Sequence, residues 1–401
     1  MTSAYHRLSF VGASTSLVAT YAASATPIPL YGSYRAVDGL TYGDLSLSSV
    51  IYFAGAVTAL LVFGRLSNHL GRRLPALLAL LLAMCACLLL TTVHQATPLL
   101  VARGLQGLSC GLASTALAAW LVDRAPRSPA WLAPAIISCG PMTGLTLGGM
   151  MAGALVEYAP WPRVLPYLVV LAVLLVCAVV LLCARETLAR RPGVIASLRP
   201  HFSMPAVARR AFPVAACVFV STWALGGFYQ AFGPAMAREQ LHSASALAAA
   251  LVFASIMAPG ALGASLAGRM SARMAQRLGI LVFAVGVVAV LLSLKAGLLV
   301  PFLIASVVAG TAQGLTLSGS IQTVVGEVAQ QERASVLSVI YATSYAGAAI
   351  PTLIAGQLSA YFSLVQVASA YALLALCGCL VVLLSALPGH FVVGKDTPEA
   401  Q

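Results

Sequence analysis

The chain has 401 residues, of which 60% are hydrophobic and only 8% charged, whereas a soluble domain carries about 25% charged residues. Mean hydropathy is +0.96. These values exclude an ordinary soluble enzyme or binding module and leave a polytopic membrane protein. The formal charge of +12 is explained by where the arginines fall and by attraction to anionic lipid, without a nucleic-acid partner.

A membrane-crossing helix needs roughly 20 mostly apolar residues, because the hydrocarbon core is about 30 Å thick and offers backbone polar groups no water. Twelve such runs are predicted, over residues 8–31, 46–66, 74–93, 98–121, 129–155, 164–184, 211–235, 245–267, 278–294, 298–320, 334–359 and 367–387. The expected fold class is an all-α membrane protein. In the first run, Arg7 precedes an apolar stretch and Ala23-Ser24-Ala25 resembles a signal cleavage site. Its removal would break the internal repeat described below, so this span is expected to be retained.

After span two comes a short basic hinge, GRLSNHLGRR at 64–73, with Arg65, Arg72 and Arg73 between uncharged flanks. It recurs after span eight at an offset of 204 residues, pairing Gly64 with Gly268, Arg65 with Arg269, Ser67 with Ser271 and Arg73 with Arg277. At an offset of 207, Gln106-Gly107-Leu108 pairs with Gln313-Gly314-Leu315. Two six-helix bundles in parallel register follow from this repeat. They are expected over 1–184 and 211–401, joined by a basic linker over 185–210. Part of that linker could lie on the membrane surface as an amphipathic helix.

Orientation follows from the basic residues. Arg7, Arg65, Arg72, Arg73, Arg124, Arg127, the six arginines of 185–210, Arg269, Arg273, Arg277, Arg333 and Lys395 fall on one side, against Arg35, Arg163, Arg238 and Lys295 on the other. Both termini are therefore expected in the cytoplasm. A compact chain with no targeting signal is expected in a bacterial inner membrane. All nine cysteines lie in apolar spans and read as small buried hydrophobes. Neither Cys85/Cys87 nor Cys377/Cys379 has a His or carboxylate beside it, so no metal or other cofactor is expected.

Three features carry chemistry. In span four, Arg103 with Gln106 at i+3 and Gly107 places a cation inside the membrane, which costs at least ~2.5 kcal/mol on insertion scales and marks a functional site by default. The other possibility is that Arg103 snorkels to water near the span end. In span five, Gly140, Gly144 and Gly148 repeat every four residues, as do Gly149 and Gly153, with Pro141 among them. Such strips let a neighbouring backbone come close. Lastly, all ten acids sit in loops or at span ends. A proton carrier would have to be Asp44, the first choice, or else Glu157 or Asp123, although acids at helix starts are also favoured simply by the helix dipole.

Twelve spans in two repeats, with a basic hinge after spans two and eight, resemble the major facilitator superfamily over nearly the whole chain. The hinge is similar to that family's signature G-x-L-[SA]-D-[RK]-x-G-R-[RK]. By that resemblance Gly64, Arg65, Asn68, Gly71, Arg72 and Arg73, with Gly268, Arg269 and Arg273 in the degenerate copy, form a conformational latch toward span eleven. The family's Asp is Asn68 here and the next basic residue is His69, so the latch is expected to lack its usual charge. Arg103 and Gln106 match the R-x-x-Q-G motif, which implies coupling or the binding of anionic groups. Gly140, Pro141, Gly144 and Gly148 partly match the exporters' antiporter motif; Leu145 and Ile136 depart from it.

Pocket residues are expected among in-span polar and aromatic side chains: Tyr21, Thr26, Tyr52, Trp223, Tyr229, Gln230, Gln313, Thr316, Tyr341 and Tyr345. Pro27 and Pro29 in span one and Gly226, Gly227 and Pro234 in span seven mark helices able to bend around a central site. The function expected is secondary transport of a small organic or amphipathic solute by alternating access, as proton-coupled efflux, by a monomer. The alternatives are a metabolite uptake symporter or facilitator and, in another class, a non-transporting sensor of the same fold. No nucleophile, acid pair or metal cluster suggests an enzyme.

Overall fold

The computed structural model describes residues 2–126, 132–189, 192–198, 204–329 and 332–385. Of the basic residues used above for orientation, Arg127, Arg190, Arg191, Arg199 and Lys395 lie outside the described residues. Every regular element among those described is helical. Twelve long helices run through the bundle: α1 (Thr2–Ala25), α2 (Tyr42–Val62), α3 (Arg73–Leu90), α4 (Ala96–Asp123), α5 (Leu132–Tyr158), α6 (Leu165–Cys183), α7 (Ala206–Ala235), α8 (Ala246–Ala267), α9 (Ala272–Lys295), α10 (Leu299–Val325), α11 (Arg333–Leu358) and α12 (Leu364–Leu384).

Eleven of these segments are long and apolar enough to cross a membrane. The remaining one, α1, is long enough but rich in Ser and Thr. Several of its hydroxyls bond to carbonyls of the same helix: Ser16 donates to the Gly12 carbonyl (2.6 Å) and Thr20 to that of Ser16 (2.8 Å). These bonds lower the cost of carrying hydroxyls through an apolar medium.

Several boundaries differ from those expected. Span one, expected over 8–31, ends as α1 at Ala25; a tight turn over Ile28–Leu30 and a separate helix Tyr31–Asp38 follow. Pro27 and Pro29 cause the break, because neither has an N–H to continue the ladder. Helix α7 begins at Ala206, so Arg209 and Arg210 belong to it rather than to the linker. Helix α8 is interrupted at Ala258 and Pro259.

The second basic hinge is mostly helix. There α9 starts at Ala272, capped by Ser271, whose hydroxyl accepts the Met274 N–H. The first hinge breaks after the turn Ser67–Leu70 because Gly71 takes φ +83°, a conformation open to glycine and strained for other residues. The residue equivalent to Gly71 in the second copy is Ala275, and the helix runs straight through it.

Two apolar cores form. One gathers side chains of α1 to α6, joined by Tyr345 and Ala348 of α11; the other gathers side chains of α7 to α12. Within each half, glycines let helices touch backbone to backbone. A Cβ on Gly107 of α4 would lie 2.1 Å from the Tyr52 carbonyl oxygen of α2, and one on Gly314 of α10 would lie 2.0 Å from that of Gly260 in α8. These two glycines are repeat mates, so the same crossing is built twice.

The halves meet along α2 and α11 and along α5 and α8. A Cβ on Gly356 would meet Ser46, and one on Gly153 would meet Ala250 at 2.6 Å. Among the described linker residues, Glu186 bonds to the backbone of Arg72 and Arg73, and the end of the bundle at which the first hinge lies is called here the linker face.

Candidate functional site

Midway along the helices, where the halves meet, aromatic rings from both form a continuous cluster. Tyr345 of α11 packs edge-on to Trp223 of α7 at 4.7 Å and against Phe53 of α2 at 6.0 Å; Phe53 in turn meets Tyr52 at 5.5 Å. Tyr21 of α1 is bonded through its hydroxyl to that of Ser114 on α4 at 2.6 Å. Tyr341, one turn before Tyr345, is 39% exposed.

Arg103 stands behind this cluster and is fully buried. Its guanidinium lies 4.4 Å from the Tyr52 ring centre, an attractive arrangement worth about 2 kcal/mol when desolvated. Its Nη1 makes both of its bonds, donating to the Ser24 carbonyl (2.7 Å) and to Gln106 Oε1 (2.8 Å). Gln106 Nε2 donates to the Ala23 carbonyl at 2.7 Å. Arg103 Nε and Nη2 are buried without a hydrogen-bond partner, and no carboxylate pairs with this cation among the described residues. Arg103 therefore does not snorkel. It is held inside, and the edge of the guanidinium suited to a two-pronged carboxylate contact remains unsatisfied.

The other expected pocket residues are placed differently from one another. Tyr229 faces into the second half: its hydroxyl meets Ser306 of α10 at 2.6 Å and its ring stacks on Phe302, so it is core rather than cavity. Thr316 donates to the Gln276 carbonyl of α9 (3.0 Å) and is likewise internal. Thr26 donates to the Ala22 carbonyl. Gln230 is buried and Gln313 half-buried, and Gln313 Oε1 has no partner.

In the antiporter-like helix, the two glycine strips serve different neighbours. A Cβ on Gly144 or Gly148 would collide with α1, at 2.4 Å from the Val18 oxygen and 2.1 Å from the Ala22 oxygen respectively, while Gly140 faces Leu17. Gly149 and Gly153 instead face α8 of the other half. Pro141 lies inside α5 without ending it.

All three acids that could carry protons are engaged at helix ends. Asp44 completes a capping box at the start of α2, accepting from the Thr41 N–H (2.8 Å) and hydroxyl (2.7 Å). Glu157 accepts the Ala246 N–H at 2.8 Å, so a carboxylate of α5 caps α8 across the two halves. Asp123 accepts from Arg72 Nε (3.0 Å) and the Thr187 hydroxyl (2.8 Å).

Around the first hinge, Arg72 Nη1 donates to Asn68 Oδ1 (2.7 Å) and to the Ser67 hydroxyl (3.0 Å). Glu186 of the linker receives the backbone N–H groups of Arg72 (2.8 Å) and Arg73 (3.0 Å), and the Arg73 side chain donates to the Leu182 carbonyl. Partial burial opposes ionisation of Glu186, but four backbone N–H groups outweigh it and hold the carboxyl below its ordinary range. This clamp is therefore charged at neutral pH and is lost only as pH falls through that lowered value. Gly64 and Arg65 lead into the hinge. In the second copy Gly268, Arg269 and Arg273 are exposed; the Arg269 backbone N–H bonds the Leu266 carbonyl at 3.0 Å, and neither arginine side chain makes a hydrogen bond or ion pair among the described residues.

Asn68 supplies Arg72 with a neutral acceptor, and an ionised one would bind it roughly twice as strongly. Asn68→Asp is expected to shift the protein severalfold toward the state open on the face opposite the linker. Cysteine accessibility from each side measures this, and an unshifted pattern removes Asn68 from the latch.

Sequence reasoning missed a contact at the opposite face. There Arg35 Nη1 meets Glu239 Oε1 at 2.8 Å, the Arg35 guanidinium sits 3.5 Å from the Tyr42 ring centre, and the Tyr42 hydroxyl donates to Glu239. The residues enclose a cavity of about 270 Å³ between the halves, walled also by Tyr31, Pro234 and Arg238. Arg35 and Glu239 are separated by 204 positions, the same offset that relates the two hinges, and that signal was present in the sequence.

The profile of the Major Facilitator Superfamily matches residues 8–350. This chain belongs to the major facilitator superfamily. As a member of that transporter superfamily, it is a multi-pass membrane protein whose two helical bundles enclose the aromatic cluster. It is also similar to an uncharacterized transporter of Rickettsia felis, 27% identical over 140 residues. That match covers 35% of this chain and 34% of the Rickettsia protein, about a third of each.

Proposed function

We propose that the protein exports a small organic or amphipathic solute across a bacterial inner membrane in exchange for protons, working as a monomer with the linker face in the cytoplasm. The observation that carries the transport site is Arg103: a fully buried cation with no carboxylate partner among the described residues and two unpartnered nitrogens, Nε and Nη2, placed behind aromatic rings contributed by both halves. A bound anionic group would supply the missing counter-charge, so the solute is read as an amphipathic organic acid. Side chains clustered about a seam between two bundles are exposed first to one face and then the other when the bundles rock.

The glycine strip of α5 against α1 and the partial exporter motif support efflux, and the basic linker face supports a cytoplasmic linker. Substrate-dependent proton movement in inside-out vesicles tests this reading, and the absence of any proton movement across a broad solute panel defeats it. One observation favours a second reading, facilitation or uptake without protons: Asp44, Asp123 and Glu157 are all committed to helix ends.

In this reading the Arg35–Glu239 pair holds the periplasmic side shut. The pair is about one-third exposed on each side, so alone it is worth up to about 1 kcal/mol, and the Tyr42 contacts bring the set to a roughly tenfold population effect. Glu239→Gln, which leaves Arg35 on the Tyr42 ring, is expected to raise periplasmic labelling of a cysteine at Tyr345 by up to about fivefold. Arg35→Glu combined with Glu239→Arg is expected to reverse most of the rise seen in either single reversal. Additive effects in the double variant count against a direct lock.

A further inference from the structure

The internal repeat gives Gln313 a meaning beyond its place in a pocket. Gln106 and Gln313 are equivalent at an offset of 207. In the first half, Gln106 Oε1 is satisfied by Arg103. The position equivalent to Arg103 in the second half is Gly310, whose face is pressed against α8, with a Cβ there only 2.3 Å from the Ile256 oxygen. The second half has thus kept the amide and lost its donor, and Gln313 Oε1 is buried without a partner.

Its location follows from the helix it sits on. Gln313 is seven residues after Ser306, hence on the same stripe of α10, and Ser306 is bonded to Tyr229 of α7. Gly310 and Gly314 occupy the side turned to α8, and Thr316 the side turned to α9. Gln313 is therefore directed toward α7, the helix that contributes Trp223 to the central cluster, and it is half-buried.

A buried acceptor left unmade is costly, and a group that supplies the bond is selected over one of the same shape that does not. We propose that Gln313 Oε1 reads a hydrogen-bond donor on the solute, so that the transported compound is an organic anion carrying an N–H or O–H group away from its acid. The inference rests on the midplane site assigned above, with Arg103 taking the anion. The two unsatisfied groups ask for opposite things: Arg103 offers donors and Gln313 offers an acceptor. A solute with an acid at one end and a donor at the other meets both demands and is oriented by them.

The test uses the full chain in nanodiscs and three compounds of one shape, 4-aminobenzoate, 4-hydroxybenzoate and 4-methylbenzoate, with the shift in Tm followed against concentration. The amino and hydroxy compounds are expected to act at concentrations about tenfold or more below the methyl compound. Gln313→Leu should erase that difference, whereas Gln313→Glu, which keeps an acceptor, should preserve it; the second variant guards against misfolding of the first. Arg103→Gln should weaken all three compounds alike. Equal action of the three on the wild type, or a difference that survives Gln313→Leu, overturns the donor inference while leaving the anion site standing. Insensitivity of all three to Arg103→Gln overturns the site on which it rests, and no stabilisation by any of them overturns both.

Discussion

Gly148→Ala and Gly149→Ala, one residue apart in α5, are expected to give opposite results. A methyl group on Gly148 would lie 2.1 Å from the Ala22 carbonyl oxygen and 2.5 Å from the Ala22 Cα. Both are backbone atoms of α1, which cannot move aside as a flexible side chain can. Overpacking of this kind costs about 1–3 kcal/mol even when side chains absorb it, and more when two helices must separate. Separation here would carry α1, with Tyr21 and the carbonyls that hold Arg103 and Gln106, away from the site. Gly149→Ala meets only the Phe253 ring at 3.4 Å and gains up to about 1 kcal/mol of helix propensity, so it should be neutral or mildly stabilising. The amount of monodisperse protein extracted from the membrane, with its thermal midpoint, measures both. Equal behaviour of the two variants would mean that α1 and α5 do not cross at Gly148.

Arg103→Ala should lower transport by about a hundredfold or more while leaving the protein inserted and folded. Loss of a charge-assisted, two-pronged contact with an anion corresponds to about 2.7 kcal/mol, a factor of roughly 100. The folding cost is small for a reason visible in the bonds. Removing Arg103 leaves Gln106 Oε1 without its donor, about 1–3 kcal/mol. It also removes a buried charge that costs about 2.5–3.5 kcal/mol to insert. That gain offsets much of the two losses, the missing donor and the contact with the Tyr52 ring worth about 2 kcal/mol, so protein level and transport should part company. Transport within a few-fold of wild type at equal protein level would take Arg103 out of the mechanism.

Helix number, the class of fold and the repeat were legible because they rest on long-range statistics of apolarity, where a run of twenty residues leaves little choice. Arg103, Gln106 and the hinge were legible because polar residues in an apolar setting stand out. What stayed hidden depended on direction around a helix or on contact between halves. Tyr229 and Tyr345 look alike in sequence, yet one bonds to Ser306 inside its own half and the other packs on Trp223 and Phe53. Asp44 reads in sequence as a proton carrier or a helix-start acid, and its bonds to Thr41 depend on a side-chain direction that sequence does not carry. The second hinge looked like a copy of the first because its arginines match; the residue that shapes the first is Gly71, and there the copies differ.

The Arg35–Glu239 pair bears on how such a chain arises. Two identical units joined about a twofold axis place a residue near that axis opposite its own copy. A protein assembled from two copies of the first half would set arginine against arginine there, and one made from two copies of the second would set glutamate against glutamate. Opposite charges at one duplicated position favour joining unlike halves and disfavour joining like ones. This contact between the bundles is thus one position at which the two halves are not interchangeable: each half carries only one side of the bond, and the fused chain is the form in which both sides are always present.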